Sequence, residues 1–263
     1  MIGRISFLLA LLVLAVPQSS GPAGAEESVQ NSADRAADCG VTENMIEANF
    51  ALQQVARAIA AKHLDILVLG AGSSLLPGSN GARDAYPARL QHALSEKLHG
   101  VEVKVTTDVK PKRTAADMVK ALPAALSNAK PQLVVWQTGT VDAMQAIDPD
   151  QFSQALDRGI NVSRNAGADV IFINPQYSPR TESMIALGTY ADDMRWVALQ
   201  QEVPLFDRFG IMKLWADNGT FDLYSATKKL DIAAHVHDCI GRLLADLVVG
   251  AAKSSEPHVD GGR

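Results

Sequence analysis

The sequence predicts an α/β protein, a three-layer α/β/α sandwich built on a five-stranded parallel sheet. Three observations carry that expectation. Short apolar runs rich in Val, Ile and Leu recur along the chain, each followed by a helix-sized stretch. Most of these runs are continuous rather than alternating, the pattern of strands covered on both faces. Successive runs are also separated by enough residues for the crossover helix that parallel strands need.

The elements follow in order. Residues 43–62 carry Met45, Phe50, Leu52, Val55 and Ile59 at near-helical spacing and predict a first helix. The run 64–69 ends at Gly70 and reads as a buried strand. Residues 86–98 are amphipathic and stop at Gly100, a suitable C-cap. Residues 101–107 alternate Val with polar residues, a strand with one wetter face. A helix over 114–126 is N-capped by Thr114, with Pro123 placed to end or kink it. Strands at 133–136, 169–173 and 203–206 then alternate with helices at 150–165 and 189–201, and 226–249 is a long final helix. Right-handed crossovers wind such a series into a doubly wound, flavodoxin-like layer sandwich. Ligands bind beyond the carboxyl ends of such strands, so the residues just after Leu69, Thr107, Trp136, Ile173 and Phe206 are the ones to watch. There is no internal repeat and no sign of a second domain.

The ends read differently. Arg4 precedes an apolar run over 7–16, and Ala23-Gly24-Ala25 stands ahead of Glu26 and Glu27, the layout of a secretory signal peptide. That run is too short to span a bilayer, which takes roughly 20 residues. The expected organisation is a signal peptide over 1–25, a flexible leader over 26–42, one globular domain over 43–252 and a disordered tail over 253–263. Export to a bacterial periplasm or beyond follows, with no membrane attachment after cleavage. The formal charge of −5 and the lack of a Lys/Arg cluster leave no electrostatic footprint for nucleic acid. Cys39 and Cys239 can pair in an oxidising compartment, closing a very long loop, or can be two separately buried thiols. No Cys/His spacing matches a zinc site, and neither a metal nor an organic cofactor is implied.

After the first strand the chain reads Leu69-Gly-Ala-Gly-Ser-Ser-Leu-Leu-Pro-Gly78. Small residues at this point let the backbone turn tightly and expose a hydroxyl at the sheet edge. The loop lacks the Gly-Lys-Ser/Thr ending of a P-loop and the G-x-G-x-x-G spacing of a dinucleotide turn. It resembles the nucleophile block of the SGNH/GDSL hydrolase family, with Gly72-Ser73-Ser74 standing for Gly-Asp-Ser. Ser74 is then the nucleophile, Ser73 replaces the Asp, and Gly78 matches as well. Tyr86-Pro-Ala-Arg-Leu90 looks like the helix after that loop, and Gly139-Thr-Val-Asp142 sits where the family has Gly-x-Asn-Asp. The resemblance spans 64 to the last helix.

A serine nucleophile needs a base, and the base needs an orienting acid. The family places Asp-x-x-His at the start of its last helix, whereas this chain has Lys229-Leu-Asp-Ile-Ala-Ala-His-Val-His-Asp238. His237 lies on the apolar stripe and faces the core; His235 has Asp231 four residues earlier on its own face. Inward direction favours His237 as base and spacing to an acid favours His235, with Asp231 the carboxylate partner. The oxyanion side departs most from the family. No Gly follows the second strand, and Val141 stands where an Asn would donate. Gln137, Thr138, Thr140, Lys110, Lys112 and Arg113 are the available substitutes. Gly139, Thr140, Asp142 and Arg180 complete the candidate substrate loops, Asp142 in a structural role and Arg180 as a contact for an anionic or sugar group.

The resemblance implies a periplasmic serine ester hydrolase working through an acyl-enzyme. Water or a sugar hydroxyl would accept the acyl group, so an esterase, a glycan deacetylase and an acyltransferase all fit. The alternative is a catalytically degenerate domain that binds an envelope glycan or protein. A nucleotide-binding flavodoxin-like module is disfavoured by the export signal.

Overall fold

The computed structural model describes residues 39–224 and 229–254. The expected signal peptide, most of the expected leader and the tail beyond 254 lie outside the described residues. The elements used below are α1 (Gln53–Ala60), β1 (His63–Gly70), α2 (Tyr86–Lys97), β2 (Glu102–Val109), α3 (Ala115–Ala129), β3 (Leu133–Gln137), α4 (Pro149–Asn165), β4 (Asp169–Ile173), α5 (Leu187–Gln200), β5 (Leu205–Phe206), α6 (Arg208–Asp217) and α7 (Leu230–Lys253). Five parallel strands form one sheet in the order β2-β1-β3-β4-β5. Central β1 and β3 are buried almost throughout because α2 and α7 cover one face while α3 and α4 cover the other. The doubly wound α/β/α sandwich stands as the sequence predicts.

Three expectations change. The first helix does not run from 43 to 62: a single 3-10 turn, Glu43–Met45, precedes α1. The Asp169 carboxylate accepts the N–H groups of both Gln54 and Val55, so β4 caps the helix at that point. Helix α3 continues through Pro123 to Ala129, because its buried face of Met118, Leu122 and Leu126 extends past the proline. Thr114 caps α3 as expected, in a reciprocal pair with Asp117. Helix α6, absent from the sequence reading, starts directly after β5.

Cys39 and Cys239 form a disulfide across 200 positions. Helices α2 and α7 approach closely at Gly241, where an added Cβ would lie 2.5 Å from Arg89 Cβ and 2.9 Å from that residue's backbone. This contact sets the first turn of α2 against the helical turn that carries His237. No helix of the described residues is long and apolar enough to cross a membrane.

Candidate active site

Strand β1 ends at Gly70, and a turn at Gly72–Ser74 delivers Ser74 to the carboxyl edge of the sheet. A Cβ at position 70 would lie 2.5 Å from Ser74 Oγ, so the last strand residue must be glycine for this hydroxyl to sit where it does. Ser74 is completely buried and donates its proton to Oε1 of Gln137 at 2.8 Å. The Ala71 N–H reaches the same Oε1 at 3.4 Å, which orients the amide with its oxygen toward the serine. Tyr86, at the start of α2, holds its hydroxyl 3.0 Å from Ser74 Oγ. With the serine proton given to Gln137, the phenol is the donor of that pair. Burial pushes the Tyr86 phenol up to about 12, so it stays protonated.

His237 faces inward, as its stripe on α7 requires, and is buried against Tyr86 with ring centroids 5.9 Å apart. Its Nδ1 accepts the Tyr86 backbone N–H at 3.0 Å. A neutral ring that accepts at Nδ1 carries its proton on Nε2. Burial, with help from Arg208, pushes His237 down to about 3, so the imidazole is neutral. Ser74 and His237 therefore converge on one residue, Tyr86, rather than on each other. Asp231 and His235 are exposed, and no hydrogen bond joins them among the described residues.

Arg208, the first residue of α6, is also buried here. It donates to the Ser73 carbonyl at 3.1 Å and to Gln176 Oε1 at 3.0 Å, and lies over the Tyr86 ring. Its neighbour Asp207 is engaged elsewhere, accepting from Asn174, from the Gly210 N–H and from Arg195 through two nitrogens. That cluster fixes the start of α6 and so the position of Arg208.

On the oxyanion side, Gly139 takes a positive φ of 93°, and a Cβ there would meet Pro175 at 2.8 Å. Asp142 accepts from the Ala115 N–H, the Gly139 N–H and the Thr138 hydroxyl, tying the start of α3 to the end of β3. Its carboxyl is raised by burial against the pull of those donors. Arg113 forms a two-pronged pair with Asp108 and is not free for a substrate, and Arg180 is exposed outside the cluster. Four buried polar atoms have no protein partner among the described residues here or on the adjoining turn: Ser73 Oγ, Gln137 Nε2, Thr140 Oγ1 and Arg208 Nε. A surface cleft of about 750 Å³ lies between residues 43–48, the end of α2 and the last turns of α7, and none of the Ser74 cluster lines it.

The profile of the Non-GDSL lipase-like family matches residues 38–254. The chain belongs to that family. No curated protein sequence matches it. Among solved structures, this lipase-like chain is similar to a lipolytic protein of the G-D-S-L family from Desulfitobacterium hafniense DCB-2, at 16% identity over 69% of this chain and 98% of that one, with a TM-score of 0.55. A two-domain esterase active on acetylated mannans gives 12% identity over 81% of this chain and 57% of that one, with a TM-score of 0.63. An acetylxylan esterase from Geobacillus stearothermophilus gives 16% identity over 70% and 94%, with a TM-score of 0.53. Such likenesses show the SGNH hydrolase fold, and the family assignment makes the chain lipase-like.

Tyr86 and Gln137 stand in segments that the sequence reading singled out, but their contacts to Ser74 did not follow from the pattern. Arg208 was missed by name. The available signal was its place two residues after Phe206, at a strand end where ligands bind.

Proposed function

We propose that this lipase-like protein is an exported serine ester hydrolase, acting on an ester or an acylated glycan, with Ser74 as nucleophile. The signal-like N-terminus and the Cys39–Cys239 bridge support an oxidising compartment. One observation carries the rest: Ser74 stands on the turn after β1, and an imidazole from the closing helix is held one residue away, on Tyr86. His237 is the base in this reading, and Asp231 and His235 have no part in it. An imidazole pushed down to about 3 is a poor proton acceptor at neutral pH, so this reading expects slow turnover. Transfer of the serine proton also needs the other tautomer of His237, with the ring proton moved to Nδ1 and the Tyr86 N–H bond given up, and the Gln137 bond released. Fluorophosphonate labelling tests the reading, with Ser74→Ala as control. Labelling of the parent that the control lacks is the expected result; equal labelling of both, or of neither, removes Ser74 from the chemistry.

A specific observation favours a second reading, a catalytically degenerate domain that binds an envelope glycan or protein. The Ser74 proton rests on an amide, and Nδ1 of His237 meets a backbone N–H where a triad would place a carboxylate. This reading expects no turnover of p-nitrophenyl acetate, and glycan binding untouched by Ser74→Ala.

A further inference from the structure

Arg208 is 1% exposed, yet no carboxylate lies within ion-pair distance of it among the described residues. The other buried or half-buried arginines of the described residues contrast with it: Arg89, Arg113, Arg195 and Arg242 each meet an Asp. A buried cation is costly unless an anion or a full set of acceptors compensates it. Here two neutral oxygens, of Ser73 and Gln176, take one N–H each. A guanidinium has more N–H groups than these two acceptors use, and its Nε is buried without a partner. Ser73 Oγ and Gln137 Nε2 are buried and unpartnered as well, one beside Ser74 in sequence and the other on the amide that holds it. Unsatisfied buried donors on the two residues that adjoin and hold Ser74, with a buried guanidinium bonded to the Ser73 carbonyl and facing no carboxylate, have the composition of an anion site.

We propose that Arg208, Ser73 Oγ and the Gln137 amide form a receptor for a small carboxylate beside Ser74. This deepens the hydrolase reading, because cleaving an ester releases a carboxylic acid at that point. It also rests on that reading only for its purpose, since binding requires no turnover. Gln176 is the natural handle. Its Oε1 already sits 3.0 Å from Arg208, so Gln176→Glu supplies an internal carboxylate of the same shape.

The experiment is calorimetric titration of the purified protein with sodium acetate, against sodium chloride at equal ionic strength. Acetate is expected to bind the parent at one site, with affinity reduced by about tenfold or more in Gln176→Glu and lost in Arg208→Met. No acetate-specific binding by the parent overturns the proposal, as does a smaller reduction in Gln176→Glu. If Arg208→Met does not fold, Gln176→Glu decides alone, because it removes no contact from Arg208. Acetate binding without turnover of p-nitrophenyl acetate leaves the receptor standing and removes the hydrolase reading. Turnover without acetate binding does the reverse.

Discussion

Ser74 Oγ donates a hydrogen bond to Gln137 Oε1 across 2.8 Å, and a neutral carboxamide is too weak a base to take the proton. The serine is thereby oriented without being activated. Gln137→Glu puts a carboxylate of the same shape in that place and gives Ser74 a base in direct contact. Positioned bases contribute about 10²–10⁴-fold, so even an imperfect one should raise kcat for p-nitrophenyl acetate by about tenfold. The gain should disappear in the double variant with Ser74→Ala. An unchanged rate in Gln137→Glu would mean that proton removal does not limit this site.

Gly70→Ala should act on the hydroxyl rather than on the core. The added methyl would come within 2.5 Å of Ser74 Oγ and 3.5 Å of Gln137 Oε1, so the serine must rotate away. Fluorophosphonate labelling is expected to fall at least in proportion to any turnover, while the far-ultraviolet circular dichroism stays that of the parent. Labelling at the parental rate would show that the serine reacts from another orientation than the one bonded to Gln137.

His237 gives the fold an acid-sensitive limb. Its imidazole is lowered in the folded protein, to about 3 against an ordinary value of 6.5, so the unfolded chain binds the extra proton between those values. Stability is therefore full above about 6.5 and is lost as the pH falls, with a slope of at most about 1.4 kcal/mol per pH unit from this group. Asp142 and Asp169, both raised by burial, act in the opposite sense over the acid range. Urea unfolding of the parent and of His237→Gln between pH 7.5 and 4.5 separates them. The variant keeps an acceptor for the Tyr86 N–H but does not titrate there, so its acid limb should be shallower; parallel limbs would contradict the assignment.

Opening the Cys39–Cys239 bridge should cost about 5 kcal/mol in the chain-entropy description of so long a loop. For a domain of this size that is a fall in Tm on the order of 10–20 °C. Comparing the parent with the double Ala variant by calorimetry checks it. Equal melting temperatures would mean that the two termini are held together by packing alone.

The sheet was legible because β1, β3 and β4 are covered on both faces, and burial of that kind leaves continuous apolar runs. The inward direction of His237 was legible for the same reason, from the stripe on α7. What the pattern could not carry was contact between distant segments. The cap on α1 comes from Asp169, more than a hundred residues away, and nothing near Gln54 announces it. Likewise Gln137 ends a buried strand as any polar residue would, and its bond to Ser74 exists only once β1 and β3 lie side by side. Arg208 is one arginine among many until α6 turns it inward against the Tyr86 ring.

The cystine also makes nearly the whole domain a single covalent ring. Its second half lies on the last helix, so the ring closes only when synthesis is all but finished, after every strand has emerged. From then on a protease that cuts any surface loop between the two sulfurs linearises the ring without freeing a fragment, and the two pieces part only under a reductant.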